Sequence, residues 1–106
     1  MVTFEEFKKI SLKVGRIKEV IDHPNADKLF IVKVDIGGGE LEVVAGLKKA
    51  YKPEELTGKL VAVVDNLEPA TIRGVESKGM ILAAHDGENF AVLSIDKEVA
   101  PGSTIK

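Results

Sequence analysis

Tyr51-Lys52-Pro53-Glu54-Glu55-Leu56-Thr57-Gly58 reads as one turn of helix set between two stretches of strand. Pro53 suits a first helical position, where its missing N–H costs nothing. Glu54 and Glu55 suit the positive N-terminal end of the turn, and Gly58 suits a C-terminal cap. Upstream, the apolar residues repeat with period two. In the first strand Leu12 and Val14 alternate with Lys13; beyond Gly15 the apolar set jumps to Ile17 and Ile21, with Arg16 and Lys18 opposite. A one-residue slip at a glycine predicts a β-bulge there. A turn, His23-Pro24-Asn25-Ala26-Asp27, leads to a second strand over 29–36, with Phe30, Val32, Val34 and Ile36 on one face and Lys33 and Asp35 on the other. Gly37-Gly38-Gly39 makes a hairpin into a third strand carrying Leu41, Val43 and Ala45. Downstream come a buried strand over 60–64, a turn at 66–69, a strand over 79–84, a hairpin loop at 86–89 and a strand over 90–95; Ala100-Pro101-Gly102-Ser103 is expected to end the ordered chain. An SH3-like barrel or a small sandwich shares this periodicity. The helical turn between strands three and four selects an all-β, five-stranded OB-fold barrel.

The first residues predict a short helix. Thr3 and Glu6 have capping-box spacing, Val2 and Phe7 suit a hydrophobic staple, and Phe4 and Phe7 share a face that can dock on the barrel. The expected organisation is one domain over 1–106: a helix over 1–10, the barrel over 11–84, and a C-terminal β extension over 85–106. Residues 90–95 and 99–105 carry more apolar surface than one small barrel covers, so this extension is expected to form a homodimer.

The 106 residues are 44% hydrophobic and 30% charged, an ordinary globular composition. The absence of cysteine excludes disulfides, zinc-thiolate sites and thiol nucleophiles. No signal peptide and no apolar run of membrane-spanning length is present, so a soluble cytoplasmic protein without membrane partners is expected. Net charge is −2, but residues 1–60 hold 11 Lys/Arg against 10 Asp/Glu while residues 61–106 hold 4 against 7. A local basic face in the N-terminal part is compatible with that balance. Lysine and glutamate without any glutamine lean towards a thermophilic source.

Catalytic signals are weak. His23 and His85 read as exposed loop histidines, and no metal-ligand spacing connects them. No serine sits in a Gly-x-Ser-x-Gly elbow. Gly74-Val75-Glu76-Ser77-Lys78-Gly79-Met80 has two glycines at phosphate-loop spacing but lacks the Lys-Ser/Thr that follows in such loops. A non-enzymatic protein with no metal and no cofactor is expected.

Basic residues give the stronger signal. Lys13, Arg16 and Lys18 project from strand one opposite the expected core face, Lys28 opens strand two and Lys33 projects from it. If these strands pair, the five form a cationic patch on the sheet face that OB-folds use for oligonucleotides; the alternative is a solvated strand face. Phe4, Phe7, Phe30 and Phe90 are assigned to the core, which leaves Tyr51 as the plausible stacking ring. RNA would then be held through phosphates, sugars and overall shape.

Four stretches occur in order: His23-Pro24-Asn25-Ala26-Asp27-Lys28-Leu29, Val44-Ala45-Gly46-Leu47, Asn66-Leu67-Glu68-Pro69 and Gly74-Val75-Glu76-Ser77-Lys78-Gly79-Met80-Ile81-Leu82-Ala83-Ala84. From about Ser11 to the end the chain resembles the tRNA-binding domain family, found as free dimers and as the C-terminal part of many methionyl-tRNA synthetases. The resemblance implies an OB fold, a homodimer built from the C-terminal half, and sequence-independent recognition of the tRNA outer corner. It places Asn25 and Lys28 in a first RNA-contacting motif and Ser77, Lys78 and Met80 in a second, with the Ser77 hydroxyl offered to a phosphate or 2′-OH. Read from the residues alone, Asn25 and Asp27 are also Asx-turn formers, Gly79 a bulge and Met80 a core filler. With Met1 at its start and its end close to barrel closure, the chain is expected to be a free-standing accessory subunit acting in trans, with tRNA and a methionyl-tRNA synthetase as partners. A protein-binding role, as a related secretion chaperone or a synthetase docking subunit, is the alternative; the chaperone branch lacks the His-Pro-Asn-Ala-Asp-Lys-Leu stretch.

Overall fold

The computed structural model describes residues 1–106. It contains α1 (Phe4–Phe7), β1 (Leu12–Asp22), β2 (Phe30–Asp35), β3 (Glu40–Ala45), α2 (Pro53–Leu56), β4 (Leu60–Val64), β5 (Ala70–Ile72), β6 (Val75–Ser77), β7 (Met80–Ile81), β8 (Ala83–His85), β9 (Phe90–Val92) and β10 (Thr104–Ile105). The main sheet runs β3-β2-β1-β4-β7, all antiparallel. It closes where the segment after β6 returns to β3: Lys78 N–H donates to the Glu42 carbonyl at 2.9 Å. This is the five-stranded OB barrel expected, with α2 in its expected place between β3 and β4.

The long strand β1 serves both halves of the barrel. Residues 12–16 pair with β4 and residues 16–22 with β2. Gly15 faces the core. A Cβ there would sit 2.4 Å from Val34 Cγ1 and 2.9 Å from Val63 Cγ2, so the two valines occupy the space a side chain would need. The phase slip therefore lies elsewhere than expected. The register shifts between Ile17 and Glu19, at Lys18, and the core-facing positions run Gly15, Ile17, then Val20. Leu12 and Val14 belong to the outer face, where Val14, Leu60, Ala62 and Val64 are all buried. A sheet apolar on both faces of one region blurs the alternation from which the bulge was placed.

Inside, Phe30, Val32, Val34, Val43 and Val61 pack around Leu56, which α2 drops into the barrel fully buried. Each such side chain contributes roughly 1.5–3 kcal/mol through the water-exposed area it loses. Glu55 caps α2 by accepting from Lys52 N–H at 2.7 Å, and Gly58 adopts φ +90° beyond it.

Two further expectations are corrected, and one element is new. The strand over 79–84 is two strands, because β7 pairs with β4 whereas β8 turns away to pair with β9. The ordered chain does not stop at Ser103: β10 pairs with Lys13 and Leu12 of β1. The hairpin β5–β6 was not foreseen. Its two-residue turn, Arg73 (φ 53°) and Gly74 (φ 90°), has positive φ at both positions, which fits a type I′ turn.

At the N-terminus the capping box forms, with Glu6 N–H donating to Thr3 Oγ1 at 3.1 Å and Thr3 N–H to Glu6 Oε1 at 3.1 Å. The expected docking does not occur, since Val2, Phe4 and Phe7 are exposed. Phe90 is also exposed, so of the four phenylalanines assigned to the core only Phe30 is there.

Candidate nucleic-acid interface

The segment joining β1 to β2 is tied to the turn of the β5–β6 hairpin by polar contacts. His23 is only 4% exposed, against the expectation of a surface histidine. Its Nδ1 accepts from Asn25 N–H at 3.0 Å, so the ring hydrogen lies on Nε2, which faces the Ile72 carbonyl at 3.0 Å. Asn25 Nδ2 donates to the Arg73 carbonyl at 3.1 Å, and the Arg73 guanidinium donates back to the Asn25 carbonyl at 3.3 and 3.4 Å. Asn25 is thus a clamp across 48 residues of sequence and not the former of a local turn.

This clamp presents Lys28. The side chain is exposed and has no carboxylate partner. It lies between two grooves. One, of about 470 Å³, is lined by Lys28, Leu29, Gly46, Lys49, Ala50, Glu88 and Phe90. The other, of about 360 Å³, is lined by Ala26, Asp27, Lys28, Leu29 and Arg73. Lys49 and Arg73 are the cations that sequence reasoning missed. Arg73 stood beside Gly74 at an unrecognised hairpin tip, and Lys49 in a loop with no periodicity.

The second motif divides in the structure. Ser77 is 6% exposed and its hydroxyl is occupied, accepting from Val44 N–H at 3.0 Å and donating to the Gly79 carbonyl at 3.1 Å. It ties β6 to β3 and does not offer its hydroxyl outward. Gly79 beside it leaves no room for a side chain, because a Cβ would lie 2.8 Å from the Val64 carbonyl oxygen. Lys78 is exposed and pairs with Glu76 at 3.7 Å. Met80 is exposed, not a core filler, and lines an apolar groove with Leu47, Ala83 and Phe90.

The five-residue patch on strands one and two does not form. Lys13 lies across from Val63, a core residue, and so points to the barrel side at its end. Arg16 points outward but is engaged, with Glu98 at 2.6 Å and the Gly58 carbonyl at 2.9 Å. Lys18 sits in the bulge. Lys33 stands between Glu19 and Glu42 on the neighbouring strands, which offset its charge. Tyr51 is not a free ring either: it packs on the core and its hydroxyl accepts from Val92 N–H at 3.0 Å. The exposed ring beside the Lys28 groove is Phe90, stacked on His85 with centroids 4.7 Å apart and planes within 5°. The hairpin carrying both rings is pinned by Asp86. Backbone N–H groups of Asn89 and then Glu88, with the Asn89 side chain, hold its carboxyl pKa down at about 2.

The family described as "Putative tRNA binding domain" matches residues 12–104. The methionine–tRNA ligase of Pyrococcus furiosus is 61% identical over 105 residues, covering 99% of this chain but 14% of that protein. Among solved structures, a MetRS-related protein from Pyrococcus horikoshii superposes with a TM-score of 0.93 at 33% identity, over 100% of this chain and 98% of that one. The CsaA chaperone protein of Picrophilus torridus superposes with a TM-score of 0.92 at 33% identity, over 100% of both chains. With the matched pattern running through the clamped loop, the β5–β6 hairpin and the barrel beneath them, the chain belongs to the tRNA-binding domain family.

Proposed function

We propose that this protein binds tRNA without catalysing a reaction on it, recognising the fold of the RNA and not its sequence. The observation that carries this reading is the clamp between Asn25 and Arg73, which holds Lys28 between two grooves lined also by Lys49 and Arg73. Cations carried on the fixed backbone of a closed barrel match a rigid arrangement of phosphates. Lys78 and Met80 extend the same surface, Asn25 positions it, and Ser77 holds the barrel beneath it. Lys13, Arg16, Lys18 and Lys33 contribute at most diffuse attraction.

The proposed working form is a cytoplasmic homodimer built through residues 85–106, where Leu93 and Val99 are exposed. No helix is long and apolar enough to cross a membrane. The proposed partner in trans is a methionyl-tRNA synthetase, a reading supported by the 61% identity to part of the Pyrococcus furiosus methionine–tRNA ligase and by the likeness to the MetRS-related protein. The likeness to CsaA supports a second reading, a peptide-binding module using the apolar groove beside Met80.

Competition binding separates these readings. Several tRNAs should compete equally, and unstructured RNA and plain duplex should compete poorly. Strong preference for one anticodon, or equal binding of unstructured RNA, refutes shape recognition; peptide binding without tRNA binding favours the second reading. Sedimentation at micromolar concentration should show a dimer, and an 11.4 kDa monomer alone refutes the assembly.

A further inference from the structure

An exposed phenylalanine stacked on an exposed histidine stands at the edge of a groove with two lysines that make no ion pair, while the dimer contact proposed above uses the other side of β9, where Leu93 is exposed. Along β9, Phe90 and Val92 share a side; Val92 packs on the core, so Phe90 faces the barrel mouth, whereas Ala91 and Leu93 face away. His85, the cross-strand partner of Phe90, covers one face of the ring in a parallel stack. The Asp86 turn fixes the hairpin, which leaves Phe90 45% exposed on a rigid support.

Lys28 and Lys49 line the same groove as the ring, neither with a carboxylate within salt-bridge distance, while neighbouring Lys48 is already paired with Asp22 at 3.3 Å. Leu29, Gly46 and Ala50 give the groove an apolar wall. A groove that combines an aromatic face, an apolar wall and two cations is complementary to a nucleotide: a π-face for stacking and cations for its phosphates. Glu88 also lines the groove. Its carboxylate repels phosphate but accepts a hydrogen bond from an exocyclic amine.

We infer that the groove beside Phe90 is a stacking subsite for one unpaired, amino-bearing nucleobase of the bound RNA, with Lys28 and Lys49 taking the adjoining phosphates. The inference rests on the RNA-binding reading above and adds to it a single-base contact within shape recognition. Phe90 supplies the stacking surface that Tyr51, held by Val92, cannot.

The chain contains no tryptophan, so Phe90→Trp creates a sole indole reporter. This variant keeps an aromatic face at the same position, and its fluorescence should be quenched as tRNA saturates it. Phe90→Leu should weaken tRNA binding by about 5- to 100-fold, the range for losing one base–aromatic stack, with an unchanged melting temperature. In low salt, oligocytidine should quench the Phe90→Trp reporter more than oligouridine, since the two bases differ at the amino group that Glu88 would accept. Unaltered affinity in Phe90→Leu, or absence of quenching at saturation, overturns the subsite; equal quenching by the two oligomers overturns the role of Glu88. If the native protein binds no tRNA, the RNA-binding reading itself fails and the subsite with it. Native binding that Lys28→Ala weakens and Phe90→Leu does not leaves that reading standing and removes only the subsite.

Discussion

Replacing Ser77 with alanine distinguishes a hydroxyl that holds the barrel from one that meets a ligand. In the structure this hydroxyl bridges Val44 N–H and the Gly79 carbonyl at 3.0 and 3.1 Å. Val44 is buried, so its stranded N–H costs about 1–3 kcal/mol. Gly79 is only half-buried, and loss of its bond costs about 0.5–1.5 kcal/mol. Together Ser77→Ala should lose roughly 2–4 kcal/mol of stability. At about 4–8 °C per kcal/mol for a domain of this size, that is a fall in Tm of about 8–32 °C. Urea unfolding followed by far-UV circular dichroism measures it, with a lower midpoint and an unchanged slope expected. In conditions where the variant remains folded, its tRNA affinity should stay within about twofold of native, a shift of under about 0.5 kcal/mol. A variant as stable as the native protein refutes the bridge. A stable variant with tenfold weaker tRNA binding would show that the hydroxyl meets RNA directly.

Lys28→Ala and Lys49→Ala should each weaken tRNA binding with little effect on stability, and Lys78→Ala should do so less, because Glu76 already offsets its charge. Lys97→Ala and Lys106→Ala should change nothing in the same filter-binding assay; if they weaken binding as much, the attraction is diffuse and the site is wrong. Affinity should fall as salt rises, with a slope corresponding to about three to five phosphate contacts per protomer. Asp86 has a folded pKa of about 2 against an ordinary 3.8, so its contribution to the β8–β9 hairpin is complete above 3.8 and lost as pH falls through about 2. An NMR titration of its carboxyl carbon should show that midpoint, and one near 3.8 refutes the turn geometry.

What could be read along the chain was what is determined over a few residues. The helical turn at Pro53–Leu56, the capping box of Thr3 and Glu6, the triglycine hairpin, the Asp86 turn and the buried run over 60–64 follow from proline and glycine chemistry, capping and period-two alternation. They sufficed for the barrel, because helix position and strand order leave few closed arrangements. The motif residues Asn25, Lys28, Lys78 and Met80 are singled out by the family resemblance, which does not say what each does.

Tertiary contact decided the rest. Whether Arg16 is a free cation depends on Glu98, 82 residues away, and whether Asn25 shapes a turn or clamps a hairpin depends on Arg73. His23 and Ser77 are polar residues whose burial became affordable only when the Ile72 carbonyl, Val44 N–H and the Gly79 carbonyl were brought to them. Phe90 is as apolar as Phe30, yet one lies in the barrel and the other on its rim. Side-chain chemistry states what each residue can do; burial and partners depend on which distant strands arrive beside it, and one residue of slip at Lys18 was enough to redirect the cations of β1.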